Sequence, residues 1–370
     1  MSKNKKKVLI IGNGFDLNLG RKTSYKNFYE SNFCPKDYLA PLVYYLNNKW
    51  DDNLEAVKWY DFENELEKYC LTIHKNGDKI QDIYQLADLE LFKTINQSKD
   101  KVTILSSFVQ INKNRLQQLI NDGLISIVHN NNRLDYLELS NTDLLLPAAE
   151  RDKIAFNLIK SGLIEYFSCV QNEEIDNNSI AAKVFKEFIH PKDESSVIYS
   201  FNYTHTERIL SILSSTERVH FVHGNCNDKN IIIGTKDGDI GQTYEYIQKS
   251  FDPNYNPPSM VYDLLSANDI TIFGHSLGTN DSQYFKPFFE RQSSFTSPEK
   301  KNITIFTKDT TSEIEIKRSL QKMTNWNLSA LYGLNNLKII KTDEQSTDSE
   351  IIKEYLKRIH YTPPRVISYH

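Results

Sequence analysis

The sequence predicts an α/β protein: a Rossmann-like parallel sheet with a large helical insertion between its first and second strands. Two observations support this prediction. The apolar, β-branched run at residues 8–11 ends in Gly12-Asn13-Gly14, as a buried parallel strand followed by a tight turn does. After residue 195, short strand-like runs alternate with amphipathic segments, which is typical of parallel strands joined by helical crossovers.

The composition is that of a globular protein without bulk attraction to nucleic acid. The chain has 370 residues, 39% hydrophobic and 25% charged, with a net charge of -4, and this length suffices for one large domain or two medium ones. The basic start at residues 3–7 precedes only a short apolar run, and no segment approaches the roughly 18 apolar residues of a membrane span. We therefore expect a cytoplasmic protein with no membrane contact.

The cysteines carry no predicted chemistry. They are widely spaced and form no Cys-x-x-Cys pair: Cys34, Cys70, Cys169 and Cys226. This spacing is typical of reduced thiols in a cytosolic protein. We predict no metal site.

The first strand is expected to lead through its glycine turn into a helix that begins at Thr23 or Ser24. Strand, turn and helix N-terminus together would present backbone amides to a phosphate, with Asp16 beside them. The dinucleotide fingerprint Gly-x-Gly-x-x-Gly is incomplete, because Leu17 stands at its third glycine position. A nucleotide site and an ordinary turn between a strand and a helix therefore both stay open.

Residues 34–194 are predicted to form the helical insertion. Apolar side chains recur there every three or four residues, as from Phe62 to Leu66, and few strand-like runs interrupt them. We expect helices only in this stretch. The domains are then a nucleotide-binding domain of residues 1–33 and 195–370, and the insertion between its two parts.

The second part of the chain contains further strand-like runs, rich in β-branched and aromatic residues. They lie at residues 197–201, 219–222, 231–234, 270–273, 303–306 and 337–341. Amphipathic segments between them are predicted to be crossover helices. These lie near residues 205–213, 283–291 and 313–323. The first strand is expected to join all of these strands in one sheet.

Polar side chains follow several predicted strands at their carboxyl ends, where open α/β sheets bind ligands. The first group is Ser200-Phe201-Asn202-Tyr203-Thr204, in which Asn202 is the candidate. An Asn turn followed by Thr204 as a helix cap explains the same residues structurally. Asn202 can serve both purposes.

His223 follows the next strand and stands beside Gly224, which lets the backbone turn sharply. A histidine at a strand end can act as a general base near neutral pH. The alternative is a structural histidine with satisfied hydrogen bonds. His220 lies within the strand and is the weaker candidate.

The segment from Gly274 to Gly278 contains Ser276 and matches the Gly-x-Ser-x-Gly elbow of serine hydrolases. That elbow needs a helix directly behind the serine, whereas residues typical of a helix cap intervene here. The histidines that follow in the sequence, as partners of a triad, are His360 and His370. A serine hydrolase that uses Ser276 stays open as an alternative.

Asp281 precedes a predicted helix. It can simply cap the helix N-terminus. A carboxylate at this place could also hold ribose hydroxyls, as an acidic residue does in dinucleotide-binding folds. Both uses of Asp281 stay open.

Together these motifs closely resemble the bacterial AbiH family of phage abortive-infection proteins, over most of the chain. The resemblance rests on the segments from Gly12 to Leu17, from Phe201 to Thr204, at His223-Gly224 and from Gly274 to Asp281. The segment from Trp59 to Glu67 is similar to that family's Trp-x-x-hydrophobic-Glu helix, which makes Glu63 a further candidate. The resemblance implies a role in defence against phage.

The order of the motifs is also distantly similar to that of the sirtuin-like NAD-binding domains of several defence proteins. Two positions differ: Thr204 stands where that pattern commonly has aspartate, and Asp16 stands where a small residue is usual. The similarity implies catalytic roles for Asn202 and His223. It places the other candidates around the nucleotide: Gly12, Asn13, Gly14, Asp16, Gly274, His275, Ser276 and Asp281.

By this similarity the protein would hydrolyse NAD, as its substrate, to ADP-ribose and nicotinamide. The reaction passes through an oxocarbenium-like sugar, so His223 would take a proton from water while Asn202 orients the water or the ribose. No cofactor or metal is required, because nicotinamide leaves as a neutral molecule. A non-catalytic sensor of a nucleotide or phage component stays an alternative. The expected partners are a nucleotide-like small molecule, a phage-derived trigger or second defence protein, and further copies of the chain.

Overall fold

The computed structural model describes residues 6–50, 59–77, 92–93, 95–96, 113–130, 133–140, 142–189, 196–205, 219–296, 299–343 and 349–360. The strands are β1 (Lys7–Ile11), β2 (Ile125–Asn130), β3 (Arg133–Leu139), β4 (Ser196–Ser200), β5 (Val219–Phe221), β6 (Asp269–Phe273), β7 (Asn302–Thr307) and β8 (Asn336–Lys341). The helices are α1 (Asn13–Asn18), α2 (Tyr25–Glu30), α3 (Pro41–Trp50), α4 (Trp59–Lys75), α5 (Lys113–Asn121), α6 (Ala148–Val170), α7 (Ile180–Phe188), α8 (Met260–Ser266), α9 (Ser282–Gln292), α10 (Thr310–Met323), α11 (Leu328–Leu334) and α12 (Ser349–Ile359).

The chain forms two compact units. The first combines Met1–Cys34, Asn53–Cys70 and Ile159–His370, and the second combines Pro35–Asp52 and Leu71–Leu158. The division into residues 1–33 with 195–370 and residues 34–194 stays a prediction. No helix among the described residues is long and apolar enough to cross a membrane.

The first unit is built on a six-stranded sheet. Its strands lie in the order β5-β4-β1-β6-β7-β8, and every adjacent pair is parallel. Counted along the chain, this is the order 3-2-1-4-5-6 of the Rossmann fold. The predicted Rossmann-like α/β sheet is confirmed, and β1 lies within it, between β4 and β6.

β1 is buried on both faces of the sheet, which accounts for its unbroken apolar sequence. Successive side chains of a strand point to opposite faces. Val8 accordingly belongs to the core around Phe285 and Phe288, whereas Leu9 belongs to the opposite core around Phe15 and Phe185. Full burial of one such side chain contributes about 1.5–3 kcal/mol.

Two of the predicted crossover helices are confirmed. Residues 283–291 lie within α9, and residues 313–323 lie within α10. α10 begins after Asp309, whose side chain accepts a hydrogen bond from the Ser312 N–H and so caps the helix. In the third predicted segment, residues 206–213 lie outside the described residues.

Residues 231–234 are not a strand, contrary to the prediction. They form a buried loop, and a Cβ on Gly234 would lie only 1.9 Å from the Ile247 carbonyl oxygen. The next residue, Thr235, donates from its N–H to the Ile247 carbonyl at 2.9 Å and accepts from the Lys249 N–H at 2.9 Å. The apolar run is therefore buried by a neighbouring loop and adds no strand to the sheet.

The second unit contains a β-hairpin, so the prediction of helices only between residues 34 and 194 is wrong. Its strands, β2 and β3, pair antiparallel. Ile125 and Leu137, one from each strand, are buried in a core that also contains Leu119 of α5. Neither strand alternates strictly, because Ile127-Val128 in β2 and Tyr136-Leu137 in β3 are adjacent apolar residues, so the period of a strand does not stand out.

Candidate functional site

A cleft of about 730 Å³ opens at the carboxyl ends of the parallel strands. Its walls include the loops after β1, β5, β6 and β7. The strand order reverses between β1 and β6, which is where Rossmann-like sheets bind their ligands. The volume lies in the range of about 300–1,000 Å³ that is usual for small-molecule sites. Most predicted site residues line the cleft: Gly12, Asn13, Gly14, His223, Gly274, His275, Ser276 and Asp281.

The glycines after β1 and β6 allow two loops to pack directly against each other. Gly12 and Gly14 donate from their N–H groups to the carbonyls of Phe273, at 3.0 Å, and Gly274, at 2.8 Å. A Cβ on Gly14 would lie 2.7 Å from the Gly274 Cα. Gly274 itself has a φ of +65°, which favours glycine.

These bonds bear on the predicted role of the first loop. The amides of Gly12, Gly14 and Phe15 all donate to backbone carbonyls, so these three are engaged within the protein, and phosphate binding at this turn stays a prediction. The predicted helix start at Ser24 is confirmed, because Ser24 caps α2. A short helix, α1, precedes it and begins at Asn13. Ligand binding by this loop stays a prediction.

Asp281 lies at the centre of a polar cluster in the cleft. Its Oδ1 is 2.9 Å from His223 Nε2 and 3.0 Å from Lys249 Nζ, and its Oδ2 is 3.4 Å from His275 Nε2. Asp281 occupies the N-cap position of α9, as predicted, but its side chain makes no capping hydrogen bond to the helix and instead contacts the cluster. Burial would raise the pKa of Asp281, but Lys249 and His223 lower it well below its usual range, and the carboxylate stays ionised.

His275 is oriented by its own turn. Its Nδ1 accepts a hydrogen bond from the Leu277 N–H at 2.9 Å, which leaves Nε2 to carry the proton that faces Asp281. Leu277 adopts a φ of 53°, a conformation that costs an L-residue about 1–2 kcal/mol. The left-handed backbone at Leu277 thus brings its N–H to the His275 ring.

His223 is held as a neutral imidazole. Burial and Lys249 lower the pKa of His223 to about 4, against the opposite effect of Asp281. Since Nε2 donates to the Asp281 carboxylate, Nδ1 is the unprotonated nitrogen. This Nδ1 is buried and has no hydrogen-bond partner in the described part of the chain. It can accept a hydrogen bond from a ligand, and the role of His223 as general base stays a prediction.

Lys249 is a site residue that the sequence reasoning missed. Its side chain is 2% exposed, and Nζ lies 3.1 Å from the Glu63 carboxylate and 3.0 Å from Asp281. Burial alone would lower the pKa of Lys249. The negative charges of Asp281 and Glu63 outweigh this effect and raise the pKa above its usual value, so the ammonium stays charged. Lys249 follows no strand and is placed by its backbone bond to Thr235. No signal in the sequence points to it.

Glu63 of α4 is the second carboxylate beside Lys249, and it also lines the cleft. Burial raises the pKa of Glu63 to about 7, while Lys249 opposes this shift and Asp281 adds to it. Asp281, whose pKa is lowered well below its usual range, is ionised near pH 7. The cluster therefore holds two carboxylates of different acidity around one ammonium.

Asp16 lies outside the cleft lining, in a buried ion pair with Arg21. The Arg21 Nη1 is 3.2 Å from Asp16 Oδ1 and 3.0 Å from Thr204 Oγ1, and the Thr204 hydroxyl donates to Asp16. Burial raises the pKa of Asp16, although Arg21, Thr204 and the nearby Asn202 amide lower it. Asp16 thus ties the first loop to the loop after β4. Its predicted contact with a nucleotide stays a prediction.

Asn202 is also outside the cleft lining, although its neighbours Phe201 and Tyr203 both line it. The side chain is buried, and neither amide atom makes a well-formed hydrogen bond to the described residues. An unsatisfied buried polar group costs about 1–3 kcal/mol. The amide lies near Asp16 and lowers the pKa of that carboxyl, and a ligand or a water molecule could complete its hydrogen bonding; the catalytic role of Asn202 stays a prediction.

Ser276 has no hydrogen-bonded histidine among the described residues. His360 is instead 2.6 Å from the carboxylate of Glu187, and His370 lies outside the described residues. A 3-10 turn, Thr279–Asp281, separates the serine from α9, so the helix does not start directly behind it. The described residues therefore offer no relay for the hydrolase alternative.

We expect a fluorophosphonate probe to leave Ser276 unmodified, because no described group activates its hydroxyl. Intact-mass measurement of probe-treated wild-type and Ser276→Ala protein checks this, with a known serine hydrolase as the positive control. An adduct on the wild type that disappears in Ser276→Ala would restore the hydrolase interpretation.

The family model for bacteriophage abortive infection AbiH matches residues 8–298 of the chain. That span contains the loops after β1, β5 and β6, together with Glu63 and Lys249. Neither the comparison with curated proteins nor the comparison with solved structures gave a match. The distant similarity to sirtuin-like domains stays a prediction. Because the family match covers well over half of the chain, the chain belongs to the AbiH family of bacteriophage abortive-infection proteins, as its motifs predicted.

Proposed function

We propose that this abortive-infection protein binds a nucleotide in the cleft and hydrolyses NAD to ADP-ribose and nicotinamide. The observation that carries the proposal is the cluster of buried Lys249 and His223 with the partly exposed carboxylates of Asp281 and Glu63. Ionisable groups whose pKa values are pushed apart by their surroundings are typical of catalytic sites. The cleft also lies beside the reversal of strand order, the usual nucleotide site of this topology.

The cluster suits a reaction in which positive charge develops on a sugar. Water attacks C1′ of the ribose, the C1′–N bond breaks, and its electron pair goes to the nitrogen of nicotinamide, which leaves as a neutral molecule. The ribose meanwhile resembles an oxocarbenium ion. A fixed, ionised carboxylate such as Asp281 stabilises this cation, and the leaving group needs neither a general acid nor a metal.

Asn202 and His223 are assigned to holding the water or the ribose. The Asn202 amide and His223 Nδ1 are buried polar groups without a well-formed hydrogen bond among the described residues. Each can gain a hydrogen bond when a ligand binds, worth about 0.5–1.5 kcal/mol. The unprotonated Nδ1 of His223 is an acceptor, so a ribose hydroxyl or a water molecule can donate a hydrogen bond to it.

Two differences from the sirtuin-like pattern lie in direct contact with each other. That pattern has aspartate at the position of Thr204 and a small residue at the position of Asp16. Here the Thr204 hydroxyl donates to the Asp16 carboxylate. A carboxylate is thus present at this contact in both cases, but here it comes from the loop after β1 and not from the loop after β4. This correspondence supports assigning to Asn202 the role that its counterpart has in the sirtuin-like pattern.

Purified protein is expected to convert NAD to equal amounts of ADP-ribose and nicotinamide, measured by liquid chromatography. Phage-infected lysate is added in parallel, because a phage-derived trigger or a second defence protein is part of the proposal. No loss of NAD in either condition, with protection against phage intact in cells, would refute the hydrolysis and leave the defence role standing. Saturable NAD binding in calorimetry without any product would favour a non-catalytic sensor.

A further inference from the structure

We propose that Glu63 takes the proton from the attacking water and that Lys249 positions Glu63 for this step. The inference rests on the proposed NAD hydrolysis and adds to it the residue that acts as base. Glu63 and its neighbour Phe62 both line the cleft. The Glu63 side chain is 14% exposed, whereas Lys249 is 2% exposed, so a bound water can reach the carboxylate from the cleft.

Two donors fix the Glu63 carboxylate. Lys249 Nζ lies at 3.1 Å, and the Gly234 N–H lies at 3.4 Å. Lys249 is held in turn by Asp281, at 3.0 Å. A carboxylate offers about four acceptor positions, so these two donors leave room for a water molecule. The arrangement fixes the orientation of the base before the substrate binds.

Burial also places the pKa of Glu63 near neutral pH. Burial raises the pKa of Glu63 to about 7, whereas the pKa of Asp281 is lowered well below its usual range and that of His223 is lowered to about 4. Among the described residues, the charges of Lys249 and Asp281 act on Glu63. Tyr203 stays protonated, because burial and Glu63 raise its pKa. A base works best when its pKa is close to the operating pH, which favours Glu63 over His223.

This assignment accounts for every proton of the reaction. The water oxygen bonds to C1′, one of its protons moves to Glu63, and the other stays on the new hydroxyl of ADP-ribose. The electron pair of the broken C1′–N bond leaves with nicotinamide. Glu63 then releases its proton to solvent, so each turnover yields one proton.

The test compares the variants Glu63→Gln and Glu67→Gln. Glu67 lies one turn further along α4 than Glu63. Glu67 pairs with Lys236 at 3.4 Å and is outside the cleft lining, so it is a matched control. In the wild type and Glu67→Gln, kcat/KM is expected to rise with pH through about 7, because the ionised carboxylate is the base. Glu63→Gln is expected to lose this pH dependence and to have kcat lowered by at least about 10²-fold, with a smaller change in KM.

A second measurement follows the proton on Glu63 without turnover. Because the pKa of Glu63 rises from 4.5 to about 7 on folding, its contribution to stability is present at low pH and is lost as the pH rises through about 7. The melting temperature of the wild type should therefore fall relative to that of Glu63→Gln between about pH 5 and pH 8. If the melting temperatures of the wild type and Glu63→Gln instead change equally with pH, Glu63 does not titrate in this range and the inference is overturned.

Glu63→Ala with added formate separates a base from a structural residue. An external carboxylate is expected to restore part of the lost rate, which it would not do for a packing defect.

If the wild type consumes NAD and Glu63→Gln matches Glu67→Gln in rate and pH profile, the inference fails and the proposed function stands. If the wild type consumes no NAD in any condition, both fail. Should Glu63→Gln not fold, Glu63→Asp replaces it, and a rate independent of pH near 7 in that variant overturns the inference.

Discussion

Replacing Lys249 with methionine is expected to lower the free energy of unfolding by about 3–5 kcal/mol at neutral pH. The substitution keeps a long apolar side chain but removes the ammonium that lies 3.0 Å from Asp281 and 3.1 Å from Glu63. Asp281, whose side chain is 19% exposed, is then a largely buried carboxylate without its cation, and breaking such an ion pair from one side is costly. Urea unfolding of the two proteins measures the difference.

Lys236→Met is the matched control for this prediction. Lys236 is 38% exposed and lies 3.4 Å from Glu67, and exposed pairs of this kind contribute about 0–1 kcal/mol. The loss in Lys249→Met should also be smaller at about pH 5 than at about pH 8, because carboxylates that have lost their cation take up protons as the pH falls. Equal losses in Lys236→Met and Lys249→Met, or a loss independent of pH, would contradict the charge argument.

The sheet could be predicted because its signals are local. β1 is a short apolar run that ends at glycines, and the later strands alternate with amphipathic helices, so periodicity alone indicates a parallel sheet. The hairpin of β2 and β3 and the loop at residues 231–234 could not be identified in this way. Short apolar runs look alike in sequence whether they are buried in a strand, a hairpin or a loop.

Only those site residues that directly follow a strand could be predicted from the sequence. His223 and His275 follow β5 and β6, and both contact Asp281 in the cleft. Lys249 lies in a loop, and its partners are 186 positions away at Glu63 and 32 positions away at Asp281. Such contacts exist only in the folded chain.

The charge states of the cluster are equally invisible in the sequence. Burial shifts the pKa of Glu63 upward, and Lys249 together with His223 brings the pKa of Asp281 down against its burial. Both residues are ordinary acids when they are read one at a time. Asp281 does occupy the N-cap position of α9, but the sequence could not show that its carboxylate contacts three side chains from other segments.

Removing the side chain of Asn202 or of His223 is expected to slow NAD hydrolysis by at least about 10²-fold. Both side chains are buried and hold polar atoms without a well-formed hydrogen bond among the described residues. We assign these atoms to the water or the ribose, so their loss leaves the reacting groups poorly oriented. Turnover of Asn202→Ala and His223→Ala, measured by liquid chromatography of NAD and ADP-ribose, checks the prediction.

His220→Ala is the matched control for His223→Ala and should keep wild-type turnover. His220 lies on β5, stacks on Tyr199 at a centroid distance of 5.2 Å and is outside the cleft lining. Melting temperatures must come from the same preparations, because a buried histidine that loses its hydrogen bonds can cost about 1–3 kcal/mol and imitate a catalytic defect. A His223→Ala protein that melts like the wild type and hydrolyses NAD at the same rate would remove His223 from the mechanism. The same result for Asn202→Ala would mean that its unsatisfied amide is bound by water alone.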